Sequence, residues 1–234
     1  MSKRGKKYVE AKALVDKEFY LVDEAIDLLK KTSKTKFDAT AELHMKLNVD
    51  PKHADQNVRG TVALPHGTGK EVRVVAFVDE GSVKAAKEAG AVVAGTNELI
   101  EKINSGWLEF DIAVADPSQM KELGKVAKIL GTKGLMPNPK AGTVTTDISR
   151  TIKEIKKGKI EFRIDKLANL HTLFGKVSFE NAKLKENLLA VIRAVVEAKP
   201  ASVKGIYLTS ITITSTMGPG IHMDIGAITK EATA

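Results

Sequence analysis

The five histidines, His44, His53, His66, His171 and His222, are the side chains best suited to move a proton or hold a metal. They sit far apart in sequence, without the short spacing that brings two imidazoles to one ion. Cysteine is absent, which excludes disulfides, thiol nucleophiles and cysteine-ligated zinc. Gly67-Thr68-Gly69-Lys70 is similar to the end of a phosphate-binding loop. Leu64, however, stands where the first glycine belongs, and Glu71 stands where a magnesium-binding Ser or Thr is needed. A dinucleotide site needs a glycine-rich turn after its first strand. Here that turn is Asp79-Glu80-Gly81-Ser82, and its two carboxylates repel phosphate. There is no Gly-x-Ser-x-Gly elbow, and Asp23-Glu24 and Asp79-Glu80 suit helix starts and turns. No catalytic residue, metal or cofactor is expected. A nucleotide-dependent enzyme is the alternative, and it lacks a phosphate loop.

What remains is a chemistry of contact. In Ser210-Ile211-Thr212-Ile213-Thr214-Ser215-Thr216-Met217-Gly218-Pro219-Gly220 the isoleucines alternate with hydroxyls, the period of a strand with one buried face. Ser210, Thr212, Thr214 and Thr216 share the other face, with no charge among them. Plain solvent-exposed sheet accounts for such a face. So does a surface that meets 2′-hydroxyls, phosphates and base edges at close range.

Charge bears on that choice. The 234 residues carry 37 Lys and Arg against 29 Asp and Glu, a net charge of +8. That excess favours a polyanionic partner. Aromatic residues make up only 5%, so stacking platforms are not expected to carry recognition. With 43% hydrophobic and 28% charged residues the chain can bury a core. No apolar run approaches the roughly 20 residues of a membrane span. Ser2-Lys3-Arg4-Gly5-Lys6-Lys7 reads as a flexible basic arm rather than a secretory signal. A cytoplasmic protein with no membrane partner is expected.

The elements that must position these residues fall into two patterns. In the middle, strands are expected at Val72–Val78, Ala91–Ala94 and Ile112–Ala115. Helices alternate with them: Ser82 capping one to Ala89, Thr96 or Asn97 starting one that ends near Gly106, and Ser118 capping one to Leu130. Asp147 or Ser149 opens a last helix that ends at Gly158. Such alternation predicts a parallel sheet between helices. In the flanks, Phe37, Ala39, Ala41, Leu43, Met45, Leu47 and Val49 alternate with polar residues, as in a half-buried antiparallel strand. A helix over Val22–Lys31 precedes it, and strands follow at Val58–Leu64, Ile160–Ile164 and Leu170–Phe179. A helix from Asn181 or Ala182 to Ala198 carries Leu184, Leu188, Leu189, Ile192, Val195 and Val196 on one stripe.

Neither flank has enough elements to bury a core alone. The expected fold class is α/β, more fully α+β plus α/β. Residues 1–67 and 159–234 form a discontinuous two-layer split β-α-β domain, and 68–158 an inserted three-layer Rossmann-like domain. Gly67, Gly69 and Gly158 lie at the two crossings and are the expected hinge. The insertion holds 14 basic and 12 acidic residues against 23 and 17 in the flanks, so the flanks are the stronger electrostatic footprint.

Gly131-Thr132-Lys133-Gly134-Leu135-Met136-Pro137-Asn138-Pro139-Lys140-Ala141-Gly142-Thr143-Val144, preceded by Lys125-Val126-Ala127-Lys128-Ile129-Leu130, is too specific for a generic connection. It closely resembles the signature of the L-one family of large-subunit ribosomal proteins. Three further stretches match that family in order. They are Asp55-Gln56-Asn57-Val58-Arg59-Gly60 with Leu64-Pro65-His66-Gly67-Thr68-Gly69, then Gly175-Lys176-Val177, then Ser215-Thr216-Met217-Gly218. The likeness spans nearly the whole chain and is to a full-length bacterial member.

The resemblance implies a structural constituent of the large ribosomal subunit in the cytoplasm, monomeric within the ribosome. It implies binding to the stalk region of large-subunit (23S) rRNA and a part in releasing deacylated tRNA from the exit site. It also implies repression of the protein's own operon mRNA; DNA is not an expected partner. By the same likeness, Thr216, Met217 and Gly218 contact RNA, with Ser210 on the same strand and Phe37, Thr40 and Glu42 on a second one. Glu42 would accept from a 2′-hydroxyl or base amine, since a carboxylate repels phosphate. Lys36, Arg163, Lys166 and Lys176 are the expected phosphate contacts, from charge and position, with Asp165 orienting one of them. Gly218 is expected to let the backbone approach RNA without a Cβ in the way.

Overall fold

The computed structural model describes Gly5–Thr233. Ser2, Lys3 and Arg4 of the expected arm lie outside these residues. Lys6 and Lys7, expected in that arm, instead begin a helix, α1 (Lys6–Ala13). Then follow α2 (Val22–Thr32), β1 (Thr40–Leu47) and β2 (Arg59–Ala63). The middle holds β3 (Val74–Phe77), α3 (Val83–Glu88), β4 (Val93–Ala94), α4 (Asn97–Asn104) and β5 (Ile112–Ala115). It ends with α5 (Met120–Leu123), α6 (Ala127–Thr132) and α7 (Ile148–Lys156). The chain closes with β6 (Lys159–Arg163), β7 (Asn169–Lys176), α8 (Asn181–Glu197), β8 (Leu208–Ser215), β9 (Ile221–His222) and α9 (Ile225–Thr233). Two compact units result, Met1–Gly69 with Ile160–Ala234, and Lys70–Lys159. These boundaries fall one or two residues beyond those drawn from sequence.

In the discontinuous unit a four-stranded sheet runs in the order β7-β1-β8-β9, every described pairing antiparallel. Burial on β1 alternates without a fault: Ala41, Leu43, Met45 and Leu47 are inside, while Thr40, Glu42, His44 and Lys46 are half-exposed. The strand starts three residues later than expected, and Phe37 lies outside it, 59% exposed. The inner face packs against α2, α8 and α9 in one apolar core. On α8 the buried stripe is Leu184, Asn187, Leu188, Val191, Ile192 and Val195, so Leu189 and Val196 are flank positions rather than core. Asn187 is the polar member of that stripe. Its Oδ1 accepts from the His66 amide at 3.0 Å, and its Nδ2 donates to the carbonyls of Gly67 and Phe174 at 3.0 and 2.9 Å. A buried amide with three such bonds fixes a loop that carries no ladder of its own.

In the inserted unit the parallel sheet runs β4-β3-β5. Its central strand faces two cores. Val74 and Ala76 pack with Ile148, Ile152 and Ile155 on one side, and Val75 and Phe77 pack with Leu99, Ile103 and Leu130 on the other. The apolar run in the sequence is thus a strand buried on both faces, with helices above and below. Asp147 caps α7 by accepting from the Arg150 amide at 3.1 Å. Two expected caps fail. Ser82 makes no side-chain cap bond, and the turn before α5 is closed by Asp116, which accepts from the Ser118 amide at 2.9 Å. The helix expected to run from Ser118 to Leu130 is instead broken at Gly124–Val126.

Candidate nucleic-acid interface

With α2, α8 and α9 on one side of the four-stranded sheet, its other face stands open. Register places that face in rows. Lys176 lies opposite Thr40, and the Thr216 amide donates to the Thr40 carbonyl at 3.0 Å. The next row is Leu173, Glu42 and Thr214. Then come His171, His44, Thr212 and His222, and finally Asn169, Lys46 and Ser210. Of the residues expected from sequence, Thr40, Glu42, Lys176, Ser210 and Thr216 therefore share one surface.

The hydroxyls of Thr40, Thr214 and Thr216 are engaged within the protein. Thr216 Oγ1 accepts from the Thr40 amide and donates to Glu42 Oε1, both at 3.1 Å. Lys176 Nζ donates to Thr40 Oγ1 at 3.0 Å. The single Thr214 hydroxyl hydrogen is shared among the carbonyls of its own turn, Ser215 at 3.1 Å and Gly218 and Pro219 at 3.2 Å. The hydroxyl face is a pre-set network that holds Glu42 and Lys176 in fixed places.

At the end of this face the chain reverses through Ser215–Gly218, closed by the Gly218 amide donating to the Ser215 carbonyl at 2.7 Å. Met217 occupies the third position with φ 69°, a left-handed conformation costly for any residue with a Cβ. Its side chain is 79% exposed, the most exposed large apolar side chain described. Gly218 is explained by packing: a Cβ there would run into the Ser215 side chain and lie 3.1 Å from its carbonyl oxygen. The glycine is thus demanded by the turn itself, whatever approaches from outside. Met217 and Phe37 together line a cavity of about 610 Å³, rimmed by Lys7, Lys34 and Lys36 and floored by Tyr8 and Ala11.

The remaining expected residues stand apart. Arg163 ends β6, and Lys166 is exposed in the link to β7. Like Lys36, they make no ion pair among the described residues, so their charge is available to an anion. Asp165 pairs with none of Lys36, Arg163, Lys166 and Lys176; its nearest basic neighbour is His171, at 3.6 Å. Its Oδ1 accepts from the amides of Leu167 and Asn169 at 2.8 Å, and the Asn169 amide above all holds its carboxyl below the ordinary value. It shapes the loop leading into β7. Of the glycines expected at the crossings, Gly67 and Gly69 have φ of 67° and 71°, and Gly158 of 107°. Gly67 is held by Asn187, and a Cβ on Gly69 would strike Lys176 and Phe179. Thr212 was expected on this face; the three histidines of its row, with Lys46, were not expected as contacts.

The inserted unit has its own crevice, about 570 Å³, at the carboxyl ends of its strands. Asp79, Glu80, Glu98 and Glu122 line it against one cation, Lys87. A phosphate-bearing nucleotide would be repelled there. Among the described residues no group of three or more His, Asp or Glu is placed to hold a metal, and no helix is long and apolar enough to cross a membrane.

The model of the ribosomal protein L1p/L10e family matches residues 29–219, from within α2 to the turn after β8. The match takes in β7, β1 and β8 of the open sheet face, the Met217 turn and the whole inserted unit, and stops short of β9. Such proteins are in general not enzymes. The chain therefore belongs to the ribosomal protein L1p/L10e family, as an RNA-binding structural protein of the large ribosomal subunit in the cytoplasm.

Proposed function

We propose that the open face of the discontinuous unit binds the stalk region of large-subunit rRNA. The observation that carries this reading is Met217. It is a bulky apolar side chain on a strained turn, left 79% exposed beside exposed Phe37 at a cavity that Lys7, Lys34 and Lys36 also line. Strain of this kind persists where function requires the geometry. Met217 and Phe37 would take an unstacked base or ribose into the cavity. Glu42, held by Thr216, would accept from a 2′-hydroxyl, and Lys36, Arg163, Lys166 and Lys176 would take phosphates.

Family likeness further supports exit-site tRNA and the protein's own operon mRNA as partners, with the protein aiding release of deacylated tRNA and repressing its own translation. The two crossings would then act as the hinge. Gly67, Gly69 and Gly158, all at positive φ, would supply it.

A titration of the protein with a transcribed stalk rRNA fragment, against a shuffled RNA of equal length, tests the reading. Expected is preference for the stalk fragment, reduced by about 1–3 kcal/mol in Met217→Ala and in Phe37→Ala. Equal binding of the two RNAs would refute it, as would full affinity in both variants.

A further inference from the structure

His44 and His171 face each other across β1 and β7, their Nδ1 atoms 2.8 Å apart and their rings edge to face with centroids 5.0 Å apart. That separation holds one proton. Two protonated Nδ1 atoms would point hydrogens at each other, so one imidazole donates and the other accepts. On the far side of each ring stands a carboxylate. Glu42 Oε2 is 3.7 Å from His44 Nε2, and Asp165 Oδ2 is 3.6 Å from His171 Nε2. In the neutral pair, the ring that donates through Nδ1 must turn an unprotonated Nε2 toward a carboxylate, lone pair against negative oxygen. A single added proton removes this conflict, because both Nε2 atoms then carry hydrogens. A second cannot enter without breaking the Nδ1 contact. The arrangement is built for one positive charge.

The other groups facing the pair are few. Glu42 and Lys46 flank His44 on β1, and Leu173 and Asn169 flank His171 on β7. β8 presents the uncharged Ser210, Thr212 and Thr214. From β9, His222 Nδ1 lies 2.9 Å from Thr212 Oγ1 and extends the row across the whole sheet. Asp165 approaches from the loop before β7. In the free protein, burial above all, and then His171, holds His44 below the ordinary imidazole value, against the pull of Glu42. Burial thus disfavours a charge on His44 in the free protein. A phosphodiester laid along the row brings further negative charge and favours the protonated pair.

We propose that His171, His44 and His222 form a phosphodiester-contact row on the open sheet face, and that RNA docks there with uptake of one proton by the His44–His171 pair. The proposal rests on the reading of this face as the rRNA site. It adds contacts not assigned above and makes binding proton-linked. The proton comes from solvent and returns there on release. By linkage, affinity is highest below the pair's value in the free protein and falls as pH rises toward its value in the complex.

The test is binding of a stalk rRNA fragment to the full chain from about pH 5.5 to about pH 8.5 at constant ionic strength. Calorimetry in two buffers of different ionisation heat counts the protons. Expected is a wild-type affinity that falls toward tenfold per pH unit at its steepest, the slope of one proton, with uptake close to one. His44→Gln, His171→Gln and the double variant should flatten the profile while keeping the wild-type circular dichroism. His222→Gln should weaken binding and keep the slope. Tight wild-type binding with no proton uptake overturns the proposal and leaves the rRNA site standing. So does uptake that persists in the double variant, which would place the titrating group on the RNA. Failure of the wild type to bind the fragment at any pH overturns the site reading and this proposal with it.

Discussion

The Thr216 hydroxyl takes a hydrogen bond from the Thr40 amide and gives one to Glu42, so its work is to place its neighbours. Thr216→Val keeps the strand shape and removes both bonds. It should cost about 1–2 kcal/mol of stability by leaving the Thr40 amide unpaired and weaken RNA binding through a released Glu42. Thr216→Ser should restore both, and denaturant midpoints with RNA titrations check this. Asp111 makes a pH prediction. Lys70 above all, with the Arg73 backbone and side chain, holds its carboxyl at about 2, below the ordinary 3.8. A depressed carboxylate stabilises the fold above its unfolded value and loses that contribution as pH falls toward its folded one. Wild type should therefore exceed Asp111→Asn in stability at neutral pH, the difference vanishing between pH 3.8 and about 2. Residue roles were only partly legible in the sequence. Thr216 and Met217 could be singled out by motif. The left-handed backbone of Met217 could not, since nothing in a side-chain pattern marks it. The His44–His171 pair was hidden because residues 127 apart meet only through a register that no single strand encodes.

At the scale of elements, α8 does two jobs with one stripe. Five apolar residues bind it to the sheet, and Asn187 among them ties down the loop that leaves β2. Asn187→Leu fits the apolar pattern better yet strands the His66 amide and two carbonyls. It should destabilise the discontinuous unit by about 2–4 kcal/mol, with the loss seen in thermal unfolding. A stripe read from periodicity alone places an Asn as an interruption, so its structural role was illegible until the loop's position was known. Strand β1 was legible because its alternation answers to one buried face. Its start was not, because Phe37 continues the alternation in a segment that has already left the sheet. Helix α1 was missed for the opposite reason: a run of lysines hid a short helix with only Ala11 buried.

For the whole molecule, each unit has its own core and the candidate contacts all lie in the discontinuous one. Replacing residues 70–159 by a short Gly-Ser linker should therefore leave stalk-RNA affinity within about tenfold of wild type. A larger loss would move part of the site into the inserted unit. Alternation of strand and helix made the two architectures legible from sequence, because a strand buried on both faces reads differently from one buried on one. The sheet that carries the open face also has two edges, and they are guarded. β9 is only two residues long, reached through buried Pro219. β7 is irregular, its register with β1 shifting between Ala41 and Glu42, and Leu170 is already bridged to Ile164. Short or irregular edges offer poor templates for another strand. A surface of half-exposed hydroxyls and imidazoles can thus stay uncovered at high concentration without seeding fibrils: molecules can come onto the sheet from above but cannot lengthen it from the side.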